Sequence, residues 1–189
     1  FKYYMEAYKG RSKNMPTRLL YHMATGSGKT MIMAGLMLYL YEQGYRNFLF
    51  FVNSVNIINK TRDNFLNASS SKYLFSDAVH LNNKQIKIKE VDNFQGANPD
   101  DINIVFSTIQ GLHSRLNTPK ENSVTYDDFE NEKIVLLSDE AHHINATTKK
   151  DSELSQTEMF DLNSWESTVT KIFNANKENL VLEFTATID

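Results

Sequence analysis

Apolar residues in this chain gather in short unbroken runs, and between the runs they return every third or fourth position. Leu19, Leu20 and Tyr21 with Met23 read as a buried strand, Asn47 to Val52 as a central strand covered on both faces, Ile102 to Phe106 as another buried strand, and Ile134 to Leu137 and Leu180 to Phe184 as two further apolar strands. Met31 to Leu40 is apolar on nearly every side and predicts a buried helix that closes near Gly44. Val55, Ile58, Phe65 and Leu66 share one face of a second helix. A third follows Ser107 and Thr108 and runs to about Leu116, and Trp165, Val169, Ile172 and Phe173 mark one face of a last one. Strands alternating with helices predict an α/β fold, a mostly parallel central sheet with helices on both faces.

Elsewhere the pattern is weaker. Tyr3 to Tyr8 is aromatic and begins a short helix, and Gly10 to Pro16 is a basic loop. Ser69 to Ser71 reads as a loop and Ala78 to Leu81 as a strand. Gln85 to Val91 alternates cleanly, which predicts one strand with one wet face, and Lys84, Lys87 and Lys89 read as that solvated face rather than as a nucleic-acid strip. Lys120 to Glu132 reads as an acidic, polar connection, and Ala146 to Asn163 as a surface insertion. No internal repeat or low-complexity tract interrupts the chain.

Composition narrows the class without choosing a function. At 189 residues the chain is expected to form one domain with one substantial core. No apolar run approaches the length that crosses a bilayer, so no membrane partner is expected. The absence of cysteine excludes disulfides and cysteine zinc sites and is consistent with a reducing compartment such as the cytoplasm. A formal net charge of -3 gives the whole molecule no general attraction for nucleic acid, so any such contact must be local. The opening Phe1-Lys2-Tyr3-Tyr4 has no signal-peptide pattern and reads as an entry into a longer product.

The chemistry concentrates where the predicted strands end. Met23-Ala24-Thr25-Gly26-Ser27-Gly28-Lys29-Thr30 joins the first strand to the first helix. Its glycines admit backbone angles that turn successive N–H groups inward around an anion at the positive end of a helix. Thr25 to Thr30 would line the phosphates, with Lys29 reaching the β and γ phosphates and the Thr30 hydroxyl binding Mg²⁺. Gly-x-Gly-Lys-Thr arises by chance in roughly three of a thousand chains this long, so an idle glycine turn is the weaker reading. Met23 stands where the eight-residue pattern opens with Gly, which alters the entrance of the loop more than its cradle.

Asp139 and Glu140 follow Val135, Leu136 and Leu137. Alone, such a pair is most simply a helix N-cap. With a phosphate loop upstream, Asp139 fits the role of holding Mg²⁺ and Glu140 that of orienting and deprotonating the attacking water. His142 and His143 lack a second ligand cluster and are not read as a metal site.

At these residues the chain resembles superfamily 2 helicases of the DEAH type. Met23 to Thr30, Asp139-Glu140-Ala141-His142 and Thr185-Ala186-Thr187 match motifs I, II and III in order and spacing. The Met23-Ala24 opening, His143 and the Phe184 to Thr187 ending are most similar to the Res subunit of type III restriction enzymes. The resemblance implies a RecA-like P-loop NTPase domain using ATP and Mg²⁺. It assigns catalysis to Lys29, Asp139 and Glu140, and coupling of the γ-phosphate to domain movement to His142, Thr185 and Thr187. Asn53, Ser54, Ser107 and Thr108 fall where the family touches the nucleic-acid backbone, although capping and turn roles suit the same four. Met5 occupies the place of the adenine-reading Gln, and Thr185 that of a Ser. The implied partners are DNA and a modification methyltransferase subunit, the latter by resemblance alone.

A type I restriction motor, an RNA helicase, a small-substrate phosphotransferase and a non-catalytic nucleotide-binding module are the alternatives. By the resemblance, residues 1–189 form the first motor domain, with the second motor domain, its motif VI arginines and the nuclease lying outside them. The isolated chain is therefore expected to bind Mg-ATP weakly and turn it over slowly, because an arginine finger contributes about 10³ to 10⁵ in rate. A steady-state ATPase assay finding the turnover of a complete motor in this chain would contradict that expectation.

Overall fold

Among the described residues six strands lie side by side in the order β1-β8-β7-β2-β6-β5, and every adjacent pair is parallel. The computed structural model describes residues 17–76, 78–81, 83–118, 121, 123–139 and 156–186, with only the backbone given over 156–163. The expected helix of Tyr3 to Tyr8, the Gly10 to Pro16 loop and Met5 lie outside these residues.

The strands are β1 (Thr17–His22), β2 (Asn47–Val52), β5 (Ile88–Glu90), β6 (Ile102–Thr108), β7 (Ile134–Asp139) and β8 (Leu180–Thr185). Every residue of β2 and β8 is buried, which explains their unbroken apolar runs: a parallel strand with helices above and below has no wet face. Helices α1 (Lys29–Glu42) and α2 (Val55–Leu66) cover one face. There Met33, Leu36, Met37, Leu40, Ile58 and Phe65 meet Phe48, Leu137, Leu182 and Phe184. Helices α3 (Ile109–Asn117), α4 (Tyr126–Asn131) and α5 (Gln156–Ala175) cover the other, where Leu112, Phe129 and Ile172 meet Phe51, Leu136 and Val181.

The end of α1 shows how local sequence sets a boundary. Gly44 adopts φ 87°, its N–H donates to Tyr41 O and the Tyr45 N–H donates to Leu40 O, both at 3.0 Å. The two bonds satisfy carbonyls that the last helical turn leaves open, and the left-handed angle between them suits glycine.

The first strand, read as buried, lies at the sheet edge among the described residues, with Arg18, Leu20 and His22 exposed. Three further sequence expectations need correction. The alternating run Gln85 to Val91 is two strands in two sheets. β4 (Lys84–Ile86) pairs antiparallel with β3 (Val79–Leu81), while β5 pairs parallel with β6 at the edge of the main sheet. The change of partner falls at Lys87, whose N–H donates to Asp101 Oδ1 at 2.9 Å and whose carbonyl accepts from Ile102 N at 2.9 Å. Ile86 and Ile88 still pack toward the same core, so the alternation reported the buried face correctly and was silent on the partner. Second, Lys120 to Glu132 contains α4, closed by a reciprocal Thr125–Asp128 capping box and anchored by the fully buried Phe129. That Thr-x-x-Asp spacing is a helix-start signal legible in the sequence. Third, α5 begins at Gln156, so the expected insertion of Ala146 to Asn163 overlaps the helix, and its remainder lies outside the described residues.

The lysines of this region are largely ion-paired. Lys89 Nζ sits 2.6 Å from Asp101 and Lys84 Nζ 3.2 Å from Asp100, which agrees with a solvated, neutralised face. Burial pushes the Asp101 carboxyl up, but hydrogen bonds from Lys89, the Lys87 N–H and Asn98, with the Lys89 charge, outweigh it and hold the group below its usual value.

A buried amide fastens β7 in place. Asn179 is fully buried; its Oδ1 accepts from Ile134 N at 2.8 Å, and its Nδ2 donates to Ile172 O at 3.0 Å and Phe129 O at 3.3 Å. It thus joins the start of β7 to α4 and α5. Asn179→Ala would leave three buried backbone groups without partners and is expected to cost about 3 kcal/mol in a urea titration. A loss under about 1 kcal/mol would show that these bonds are dispensable.

Candidate nucleotide site

The parallel register carries the carboxyl ends of the strands to one edge of the sheet, where an open α/β fold collects ligands. His22 lies beside Thr185, Asp139 beside Phe184 and Val52 beside Thr108. Along that edge the order is therefore the glycine loop after β1, Thr185 ending β8, Asp139 ending β7, Asn53 and Ser54 after β2, and Ser107 with Thr108 ending β6. The glycine loop and Asp139 are not on adjacent strands, because β8 lies between them. Two strand spacings put their backbones about 10 Å apart, a span that a lysine and a hydrated metal bridge together.

The faces agree as well as the edge. Leu19 and Tyr21 of β1, Leu182 and Phe184 of β8, and Val135 and Leu137 of β7 all pack on the core under α1. By the alternation of a strand, Asp139 falls on that same face. The helix that begins with Lys29 and Thr30 therefore rests on the side of the sheet toward which Asp139 points. Lys29, Thr30 and Asp139 are each half-buried. Just beneath the loop, the Tyr21 ring stacks on Phe184 at 4.7 Å, and burial pushes the Tyr21 hydroxyl up to about 12.

The loop has the backbone that an anion cradle needs. Gly26 and Gly28 have φ of 78° and 92°, and an added Cβ at either would meet nothing within 4 Å. Backbone conformation, not crowding, is what requires glycine there. The Ser27 N–H donates to Ala24 O at 3.1 Å, closing the turn, and Thr25, Gly26 and Ser27 are exposed. Gly28 caps α1 with no side-chain hydrogen bond, and no acidic residue stands in the first turn. The first N–H groups of α1 are therefore not covered by a capping side chain, and an anion suits them and the helix dipole. A triphosphate fits this donor set, and Thr30 with Asp139 offers oxygen ligands of the kind Mg²⁺ takes.

The other sequence-predicted residues separate into groups. Thr185 is buried. Thr108 Oγ1 accepts from the Gly111 N–H at 3.0 Å and so caps α3, while the buried Ser107 hydroxyl donates to Thr108 O at 2.9 Å. Ser54 occupies the cap position of α2 without a side-chain cap bond, and Asn53 is half-buried beside it. Glu140, His142, His143 and Thr187 lie outside the described residues. No group of three metal-ligating side chains occurs among those described.

Two features were passed over in the sequence. Glu183, only 6% exposed inside an apolar strand, receives both arms of the Arg18 guanidinium, at 2.7 and 2.6 Å. A charge in a continuous apolar run was the available signal, since a buried carboxylate demands a partner. The second is His22, whose Nε2 lies 3.1 Å from the Ala186 carbonyl oxygen.

A glycine loop and a carboxylate-tipped strand, on one edge and one face of a parallel sheet, give the arrangement of a P-loop fold, and the sheet with its helices is similar to helicase RecA-like domains. The UvsW helicase of bacteriophage T4 is similar in fold, with a TM-score of 0.50 and 17% identity over 95% of this chain and 49% of that one. Residues 2–189 match the family described as type III restriction enzyme, res subunit, and the chain belongs to that family. A relative in Haemophilus influenzae, named probable type III restriction-modification enzyme HindVIP Res subunit, is 44% identical over 191 aligned residues, covering 93% of this chain. The chain spans 37% of that relative's length.

The strand that delivers the phosphate loop is an edge strand among the described residues, held to the sheet on one side by β8. Arg18→Ala would strip the buried Glu183 of its partner, and is expected to cost about 3 kcal/mol in urea, the low end for such a break because the Arg18 side chain is 37% exposed. Unchanged stability would contradict a role for this pair in fixing β1.

Proposed function

We propose that the chain is the first motor domain of a Res subunit that couples ATP hydrolysis to movement on DNA, within a restriction enzyme that then cleaves it. The observation that carries the reading is the meeting of the glycine loop and Asp139 at one edge and face of the sheet, in a chain matched to this family over residues 2–189. In this reading the loop N–H groups from Thr25 to Thr30 and the Lys29 ammonium hold the triphosphate, and Thr30 with Asp139 holds Mg²⁺. The metal, when bound, supplies positive charge against the phosphate oxygens. Glu140 takes the proton from water attacking the γ-phosphorus, and Lys29 offsets the charge that develops. His142, Thr185 and Thr187 pass the state of the γ-phosphate to the second motor domain.

DNA would run along the other half of the same edge, past Asn53, Ser54 and Thr108, which are all partly accessible. Ser107 is buried and would act there by shaping the turn. The cytoplasm and a methyltransferase partner belong to the same reading, supported by family membership. No helix among the described residues is long and apolar enough to cross a membrane.

The test uses the full-length parent protein with duplex DNA, and RNA as comparison. ATP turnover should rise on DNA and not on RNA, and Lys29→Ala should lower it by about 10² or more, the cost of removing one preorganised charge from a transition state. Equal stimulation by RNA, or a Lys29→Ala protein that keeps its turnover, would overturn the assignment.

A further inference from the structure

Two bonds beyond the last ladder positions join the end of β1 to the end of β8. The Met23 N–H donates to Thr185 O at 2.8 Å, and the ring of His22 reaches Ala186 O at 3.1 Å. The first belongs to the backbone and any residue at 23 except proline forms it. The second exists only because a histidine stands at 22. A carbonyl oxygen can only accept, so His22 Nε2 carries a hydrogen and donates.

Position gives this bond its interest. His22 is the last residue of β1 and directly precedes the glycine loop, while Ala186 lies between Thr185 and Thr187. The carbonyl that His22 holds belongs to the peptide leading into Thr187. His22 falls on the face of β1 opposite Tyr21, beside Thr185 in the register, so it stands outside the phosphate cradle itself. Its ring is exposed. Breaking the bond therefore returns donor and acceptor to water with little penalty, which suits a link that is made in one state and released in another.

We propose that His22 is a positioning residue that ties the nucleotide loop to the Thr185-Ala186-Thr187 segment, so that a displacement at one is felt at the other. The proposal rests on the motor reading above. His22 touches neither nucleotide nor water in the reaction, and its effect lies in whether hydrolysis is accelerated by DNA, not in how tightly ATP is held.

The experiment compares three variants of the full-length parent by DNA-stimulated ATPase. His22→Gln keeps an N–H donor the same number of bonds from the backbone as Nε2, His22→Asn places it one bond short, and His22→Ala removes it. His22→Ala and His22→Asn should lower the DNA-stimulated kcat about fivefold, the yield of one ordinary hydrogen bond. The KM for ATP should stay within about twofold, as expected when ground-state binding is untouched. His22→Gln should recover most of the rate. Full stimulation in His22→Ala, a His22→Gln protein as slow as His22→Ala, or a rate loss that tracks a fall in melting temperature would each overturn the proposal. A wild-type parent without DNA stimulation would remove the motor reading and this inference with it, whereas stimulation intact in wild type and in His22→Ala would remove the inference alone.

Discussion

Attachment of β1 to β8, its one neighbour among the described residues, is the constraint on which the candidate nucleotide site depends. The glycine loop has little to hold it: its central residues are exposed and its glycines adopt angles chosen for backbone shape. Its position is inherited from β1. That strand is fixed by six register positions, by the fork of Arg18 on the buried Glu183, by the Tyr21–Phe184 stack, by the bond from Met23 to Thr185 at the end of β8 and by that from His22 to Ala186 just after it. Contacts lie on both faces of the strand, polar on one and aromatic on the other. A strand held on one face only could twist about its own axis, and the loop would turn with it.

The same arrangement divides the carboxyl edge into two halves. On the β1-β8-β7 side are the loop, Thr185 and Asp139; on the β2-β6 side are Asn53, Ser54, Ser107 and Thr108. In the latter half Thr108 and Ser107 spend their hydroxyls on the turn into α3, and Gly111 is packed so closely that a Cβ would lie 3.0 Å from Thr108 Oγ1. That turn is rigid by construction. β8 stands between the loop and Asp139, so its terminal Thr185 adjoins both strand ends.

Sequence reading succeeded where one local pattern admits one outcome. Four of the five continuous apolar runs became buried strands, because burial on both faces leaves no polar alternation to mislead, whereas the first became the edge strand β1, with Leu20 55% exposed. Gly26 and Gly28 foretold left-handed backbone, and Gly44 foretold the end of α1. It failed where the answer lay in a partner. Ile86 and Ile88 had the right face, yet nothing in Gln85 to Val91 says that Asp101 takes the Lys87 N–H and splits the run between two sheets. The short helix α4 was hidden by its acidity, although its Thr125–Asp128 box was present in plain spacing.

By itself the sequence determined the long helices and the buried strands, the alternation that makes the sheet parallel, the glycine loop and the acidic strand end, since each is written in residues adjacent along the chain. Only the tertiary structure decided that β8 separates the loop from Asp139, that Arg18 and Glu183 close on each other across 165 positions, and that His22 reaches Ala186. Those outcomes depend on strand order and register. Both are fixed by how whole layers pack, and one-dimensional periodicity carries the face of a residue but not the identity of its neighbour.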